Sequence, residues 1–270
     1  DLHSFPTRRS SDLTLCIRYQ MRQNLLNNSK KQVDPILLLG CIAAVFRLGL
    51  FVRYPYAAFD YGPYDDEYFL KAAASILEGA WLGEYNYITL IKGVSFSLFV
   101  ALANVLCMPY SMLLGLFYIA SAAVFCHALR AVSENKWSRL LIFLYLIFSP
   151  IGFDVHVTQR LYRNAIIFPS VLLTLGSILL VYYRRDGKLR QQLPWLILSG
   201  VSFSFFYYIR EDSIWLLPFF VCALMVTAVW YIWFSGRAKR ELVRRCAFLL
   251  LPVAIFLGAN NTESDRKSVV

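Results

Sequence analysis

Long apolar stretches constrain this chain more than any other feature of its sequence. They lie at 35–54, 93–108, 110–129, 139–153, 164–183, 193–209, 213–234 and 246–258. A helix needs about 20 apolar residues, with about 17 as a lower limit, to cross the hydrocarbon core of a bilayer, and most of these runs reach that length. Since 58% of the 270 residues are hydrophobic and only 16% are charged, the composition exceeds what a soluble core needs. The sequence therefore predicts an all-α fold, a polytopic bundle of transmembrane helices.

The charges between the apolar runs predict how the chain crosses the membrane. Four segments carry net positive charge: 14–34, 130–139, 184–190 and 235–245. Basic segments stay on the cytoplasmic side, and all four can do so only if 93–108 does not cross completely. We therefore expect 93–108 to be re-entrant or to lie on the outer surface, with a short tilted span as the alternative. This topology has about seven spans, and an outer loop at 55–109 contains juxtamembrane helices.

The remaining composition excludes several classes of protein. The formal charge of +10 comes from short basic clusters between apolar runs, a pattern of membrane topology that predicts no nucleic-acid partner. The six cysteines are scattered without a metal-ligand spacing, so we interpret them as small hydrophobic residues. The glycines form neither a Walker loop nor a GxGxxG motif, which gives no support to phosphate binding of the soluble-nucleotide type.

The two ends, 1–13 and 259–270, differ from the rest of the chain. Both are polar and aperiodic, and both adjoin apolar segments abruptly. They resemble translated sequencing-adapter read-through, and ordinary disordered tails are the alternative interpretation. The transmembrane domain is accordingly predicted over 14–258, and we expect the natural protein to continue beyond Gly258.

A cluster of carboxylates follows the first apolar run. The loop 55–91 contains six acidic residues and a single lysine, and Asp65, Asp66 and Glu67 are consecutive. Apolar and small residues at spacings of three and four predict a helix over 64–79 that ends at Gly79. The helix dipole favours carboxylates in the first turn, so helix capping is one interpretation. Chemistry or cation binding is the other, because three adjacent carboxylates exceed what capping needs.

Two short connections add polar residues to the same predicted side. Arg210-Glu211-Asp212 separates two apolar runs in a tight turn, where three charges are costly unless they are paired or solvated. Both phosphate binding by Arg210 and its pairing with Glu211 or Asp212 remain open. The connection 154–163 contains Asp154, His156, Arg160 and Arg163. His156 fits either a ligand of a divalent metal or an interfacial hydrogen-bonding residue.

Three residues elsewhere in the chain permit local predictions. Asp34 and Pro35 are typical of an N-cap followed by proline in the first helical turn. Arg47 lies inside the first apolar run, where an arginine normally faces protein or water, so we expect it to be paired within the bundle.

The outer loop carries a resemblance to a known group of enzymes. The stretch from residue 59 to 102 reads FDYGPYDDEYFLKAAASILEGAWLGEYNYITLIKGVSFSLFVAL. It resembles the first outer loop of the GT-C superfamily of polyprenyl-phosphate-sugar-dependent glycosyltransferases, which includes the protein mannosyltransferase and aminoarabinose transferase-like families. Asp65-Asp66 matches the acidic pair, Gly79 falls fourteen residues after Asp65, and Lys92-Gly93 matches the lysine that opens an apolar helix. The large C-terminal soluble domain of some relatives is absent from this sequence.

The resemblance implies transfer of a sugar from a polyprenyl-phosphate carrier to a lipid, glycan or protein. Asp65 would activate the acceptor as a general base, and Asp66 would assist or bind a divalent metal. Lys92 and Arg210 would hold the lipid phosphate, although Lys92 also fits an interfacial lysine whose stem lies in the membrane. Glu67 and Arg160 would be further substrate contacts.

The same resemblance implies a cellular location, and two alternative functions remain open. We expect an integral protein of the bacterial inner membrane, in contact with membrane lipid, with its active site facing outside. A transporter or flippase is one alternative, although transporters usually place ionisable residues near the bilayer midplane. An inactive assembly subunit that keeps the transferase fold is the other.

Overall fold

The computed structural model describes residues 34–53, 66–81, 83, 92–210, 212–234 and 239–268. Within these ranges the chain forms helices joined by turns, and no strand, as the predicted all-α fold requires. The α-helices are α1 (Pro35–Arg53), α2 (Asp66–Leu77), α3 (Ser95–Val105), α4 (Tyr110–Ala128), α5 (Lys136–Ile147), α6 (Val155–Thr158), α7 (Asn164–Tyr183), α8 (Leu189–Tyr207), α9 (Leu217–Val229) and α10 (Lys239–Ser268). Short 3₁₀ segments lie at Leu129–Ala131, Pro150–Phe153 and Ser213–Leu216, and a π-helical turn lies at Trp230–Phe234.

The contacts divide the chain into two units, residues 1–39 and residues 40–270. In the first unit, the amide of Ile36 donates a hydrogen bond to the Asp34 carboxylate at 3.2 Å, and Pro35 begins α1. The predicted N-cap is therefore confirmed. The aspartate satisfies an amide that has no partner within the helix, and proline at the first position has no amide to satisfy.

Several of the helices are long and apolar enough to cross a membrane. Among the described residues, five reach this length and composition: Pro35–Arg53, Tyr110–Ala131, Lys136–Phe153, Asn164–Tyr183 and Arg240–Ala259. The chain is therefore a helical protein of the integral membrane type. By contrast, α3 has 11 residues, which extend about 16 Å, so this helix alone is too short for a hydrocarbon core of about 30 Å.

Two of the apolar runs take forms that the sequence did not predict. The run 193–209 lies mostly in α8, which begins earlier, at Leu189. Arg190 and Gln191 in the first turn of α8 make this helix less apolar than the run alone. The run 213–234 is divided into a 3₁₀ turn, α9 and a π-helical turn, with Pro218 in the first turn of α9. The predicted number of about seven spans remains a prediction.

Arg47 is held inside the bundle, as predicted. Its side chain is 0% exposed. Its Nε donates to the carbonyl of Ile147 at 2.7 Å, its Nη2 donates to the carbonyl of Gly152 at 2.5 Å, and its guanidinium lies 3.8 Å from the ring centre of Phe153. The arginine therefore satisfies one carbonyl at the end of α5, which has no partner within that helix, and one in the 3₁₀ segment that follows, so it joins α1 to both.

A buried apolar cluster connects the short helix α2 to the longer ones. Its enclosed members include residues of α1, α2, α3, α4, α7 and α8: Phe51, Phe69, Phe96, Leu114, Ala165, Ile166 and Phe206. The rings of Phe69 and Phe96 meet edge to face at 5.1 Å. Burial of side chains of this size stabilises the fold by about 1.5–3 kcal/mol each, so α2 is anchored although its first turn carries two carboxylates.

The last helix, α10, continues to Ser268 and so includes most of the polar C-terminal segment. Glutamate, arginine and lysine in that segment are good helix formers, which gives a reason for the helical backbone. The interpretation that 259–270 is foreign to the natural chain remains a prediction. The corresponding N-terminal segment, 1–13, lies outside the described residues.

Candidate functional site

The acidic cluster lies in the first turn of α2, where the sequence predicted it. Asp66 and Glu67 occupy that turn, and Asp65 lies outside the described residues. Glu67 is exposed and pairs with Lys71 one turn later, at 2.5 Å. Its hydrogen bond and its negative charge raise the pKa of Lys71. Glu67 is therefore engaged in a solvated pair along the helix surface, which is worth little to stability.

Asp66 is in a different environment from its neighbour. Its side chain is 0% exposed, and Arg160 donates to both carboxylate oxygens, with Nε–Oδ2 at 2.6 Å and Nη2–Oδ1 at 2.8 Å. A buried carboxylate needs such a partner because desolvation of an unpaired charge is expensive. This two-bond geometry joins the start of α2 to the connection before α7, 94 residues further along the chain.

The far end of α2 is fixed by its glycine cap. Gly79 has φ +79°, and its amide donates to the carbonyl of Ile76, while the amide of Ala80 donates to the carbonyl of Ser75. These bonds form a Schellman motif, in which glycine adopts the left-handed conformation without a side-chain clash. The predicted helix end at Gly79 is confirmed.

Lys92 lies beside the turn that follows α8. The amide of Ser95 donates to the carbonyl of Tyr208 at 3.2 Å, and a Cβ on Gly93 would overlap that same carbonyl. Only glycine fits such a close approach of two backbones. Val94 and Tyr208 belong to one apolar cluster with Ala72 of α2. The half-buried Lys92 therefore begins a segment that contacts both α2 and the turn containing Arg210.

Arg210 completes the arrangement through two partners. Its Nε lies 2.9 Å from Oδ1 of Asp212, and its Nη1 donates to the side-chain oxygen of Asn164 at 3.4 Å. Pairing with Asp212, one of the two interpretations of this turn, is thus present in the structure, and Glu211 lies outside the described residues. Asn164 begins α7 four residues after Arg160. Arg210 is therefore tied to the connection that also holds Asp66.

These contacts connect four segments, which we call the polar cluster: residues 66–69, 92–95, 160–164 and 208–210, with Asp212. The start of α2 meets 160–164 through Asp66 and Arg160. That connection meets Arg210, and the turn at Tyr208 meets the segment after Lys92. Four stretches that are separated in the sequence thus converge at one end of the helices.

The carboxylate of Asp154, two residues before His156, forms local hydrogen bonds, and metal binding by His156 remains a prediction. The Oδ1 atom of Asp154 accepts a hydrogen bond from the amide of His156 at 2.8 Å, and its carbonyl accepts one from Thr158. Asp154 thus caps the short helix α6. Among the residues that the structure describes, no group of three or more histidine, cysteine, aspartate and glutamate side chains is arranged to hold a metal.

Two features of the polar cluster were not singled out from the sequence. One is Asn164, the partner of Arg210, and the other is the carbonyl of Tyr208, a backbone atom that no motif marks. Buried Arg163, whose guanidinium lies 5.9 Å from the ring centre of Phe69, adds a further contact between α7 and α2. The run of polar residues before α7 was the available signal, since it places arginines at the start of an apolar helix.

No protein-family model, curated protein or solved structure matches this chain.

Proposed function

We propose that this protein is a membrane glycosyltransferase. It transfers a sugar from a polyprenyl-phosphate carrier to a lipid, glycan or protein acceptor on the non-cytoplasmic face of the bacterial inner membrane. The observation that carries the proposal is the polar cluster: the carboxylates of α2, Lys92 and Arg210 lie on segments that contact one another. A base for the acceptor and cations for the leaving phosphate must be this close to act on one substrate.

In the proposed reaction Asp65 accepts the proton of the attacking hydroxyl or amine. Asp66 and Arg160 are positioning residues, since their paired oxygens and nitrogens fix the start of α2. Lys92 and Arg210 stabilise the negative charge that develops on the departing lipid phosphate. Glu67 contacts the substrate from the exposed side of the same turn.

The direction of the helices supports the proposed orientation. α4 and α7 both begin near the polar cluster, and α8 runs back along α7 to end beside it. The basic segments 130–139 and 184–190 lie at the other ends of these helices. Because positive segments stay in the cytoplasm, this arrangement directs the polar cluster outward and favours about seven spans, with α8 and α9 among them.

Substitution of Asp65 by asparagine tests the proposal. Membrane vesicles that contain the protein are given radiolabelled polyprenyl-phosphate sugars, and label in the lipid, glycan and protein fractions is counted. We expect Asp65→Asn to lower transfer by about 10²–10⁴-fold, the usual contribution of a general base. Glu78→Gln is the matched control, since Glu78 is an exposed carboxylate at the other end of the same helical segment. Full activity of Asp65→Asn at normal expression would remove Asp65 from this role.

One observation favours a second candidate. Arg160 engages both oxygens of the buried Asp66 carboxylate, a structural pairing that an assembly subunit with the fold but not the activity would also keep. In the same vesicles such a subunit would retain the radiolabelled carrier and show no transfer to any fraction, with or without Asp65→Asn.

A further inference from the structure

A second group of polar residues lies at the opposite end of the helices from the polar cluster. Tyr110 at the start of α4 packs on Phe96, whereas His127 at the end of α4 contacts Arg184 at the end of α7. α7 has 20 residues, a length of about 30 Å, which is close to the thickness of the hydrocarbon core. The two ends therefore face the two surfaces of a membrane.

Arg184 is fixed in place by two neutral aromatic side chains. Its Nη2 lies 2.9 Å from Nε2 of His127, and its guanidinium lies 5.0 Å from the ring centre of Trp195. The rings of His127 and Trp195 are themselves stacked, with centres 5.9 Å apart. A guanidinium can only donate hydrogen bonds, so Nε2 of the imidazole accepts this one and carries no proton, and the ring is neutral. Neither partner cancels the positive charge of Arg184.

Two clefts meet at this arginine, and we call them the basic clefts. The first, of about 290 Å³, is lined by His127, Ala128, Arg130, Ala131, Tyr183 and Arg184, with Leu180 at its base. The second, of about 550 Å³, is lined by Arg184, Gly187, Gln191, Pro194 and Trp195. Arg130 and Arg184 are both exposed. In the part of the chain that the structure describes, neither forms an ion pair.

Helix dipoles alone account for only part of this arrangement. They favour cations at the ends of α4 and α7. They do not require a guanidinium in contact with both members of a stacked imidazole and indole pair, and they do not require clefts on both sides of it. The arrangement instead matches what a phosphate ester needs, because a planar, pre-oriented arginine binds phosphate oxygens with two parallel hydrogen bonds.

We propose that the basic clefts bind the phosphate group of an anionic phospholipid in the leaflet at this end of the helices. Basic pockets between transmembrane helices hold such head groups because the surrounding membrane supplies them at high local concentration. Arg184 and Arg130 contact the phosphate, and Trp195 and Tyr183 lie at the level of the glycerol backbone, where aromatic side chains concentrate. This site is separate from the polar cluster and does not depend on sugar transfer.

Counting of retained lipids by native mass spectrometry tests the proposal. The full chain is equilibrated in micelles with phosphatidylglycerol or with phosphatidylcholine of the same acyl chains. We expect preferential retention of phosphatidylglycerol, weakened about fivefold by each of Arg130→Gln and Arg184→Gln and further in the double variant. Arg190→Gln removes the same charge from an exposed position in the first turn of α8, outside both clefts, and we expect less than a twofold change.

Each other outcome overturns the site. Equal weakening by Arg190→Gln would show a general basic surface, and equal retention of both lipids would show no recognition of charge. Displacement of the lipid by millimolar inorganic phosphate would assign the clefts to a free anion. Arg130→Gln keeps the test valid if the double variant does not fold, because Arg130 is exposed and makes no ion pair in the described structure.

Discussion

A single ion pair dominates the energetics of the polar cluster. Asp66 is fully buried, and Arg160 is its partner at both oxygens. The pairing compensates both charges for the hydration that they lose on burial, whereas an isolated ion in a buried site would lose its hydration without compensation. A helix turns about 100° per residue, so Glu67 points away from this pair into solvent. Adjacent carboxylates of one motif thus differ: Asp66 is buried and fixes the backbone, whereas Glu67 is exposed and pairs with Lys71.

Removal of one partner should destabilise the fold strongly. We expect Arg160→Ala to lower the free energy of unfolding by about 3–5 kcal/mol, because the buried Asp66 carboxylate would be left unpaired. Arg160→Lys should recover only part of this loss, since an ammonium lacks the planar two-bond geometry. The measurement is denaturant unfolding in detergent micelles, followed by tryptophan fluorescence.

Two further variants identify the cause of that loss. Lys71→Ala removes an exposed partner of Glu67 and should leave unfolding unchanged. The double variant Asp66→Asn, Arg160→Gln should be more stable than Arg160→Ala, since neither charge remains buried alone. Unaltered unfolding of Arg160→Ala would assign this arginine to substrate binding instead of fold stability.

Among the elements, the contact between the start of α3 and the end of α8 controls the separation of Lys92 from Arg210. That contact is made by backbone atoms. The carbonyl of Tyr208 accepts a hydrogen bond from the amide of Ser95, and a side chain at Gly93 would overlap that carbonyl. Lys92 and Arg210 are each connected to it by two residues or fewer. A shift of one element would therefore separate the cations that are proposed to share a phosphate.

A methyl group at this contact should disrupt it. We expect Gly93→Ala to destabilise the protein by about 1–3 kcal/mol, the usual cost of overpacking, and to lower transfer activity further by moving Lys92. Gly49→Ala is the matched control, because a Cβ at Gly49 in α1 meets no atom within 4 Å. Alanine there should be neutral or stabilising by up to about 1 kcal/mol. Thermal unfolding in micelles compares the two, and equal behaviour would contradict the close approach.

The elements also show what could be predicted from sequence. The cap at Asp34 and the helix end at Gly79 followed from neighbouring residues, because the interactions that form them span only a few positions. The pairing of Asp66 with Arg160 joins residues 94 positions apart, and no local pattern specifies which arginine an aspartate meets. The contact at Tyr208 is made by its backbone carbonyl, and because every residue has such a group, no sequence pattern marks this one. Polar residues were therefore correctly placed on α2 and beside α7, while their partners required the fold.

For the whole molecule, the two polar regions lie at opposite ends of the same helices and differ in charge. The polar cluster contains the ion pairs Asp66–Arg160 and Arg210–Asp212, whereas in the basic clefts Arg184 contacts the neutral side chains of His127 and Trp195. Positively charged residues beside an anionic leaflet gain about 1 kcal/mol each. The same helices thus carry ion pairs at one end and, within the described residues, arginines without an ion pair at the other, which supports the proposed orientation with the basic clefts on the cytoplasmic side.

Labelling of single cysteines tests that orientation. In a background with the six native cysteines replaced by serine, cysteine is introduced at exposed Glu78, near the polar cluster, and at exposed Lys136 and Lys188, near the basic clefts. We expect a membrane-impermeant maleimide to label Glu78→Cys in intact cells, and to label the other two only after permeabilisation. Labelling of both lysine positions from outside would reverse the bundle, because basic segments would then face away from the cytoplasm. It would also place the basic clefts in the outer leaflet and the proposed sugar transfer on the cytoplasmic side.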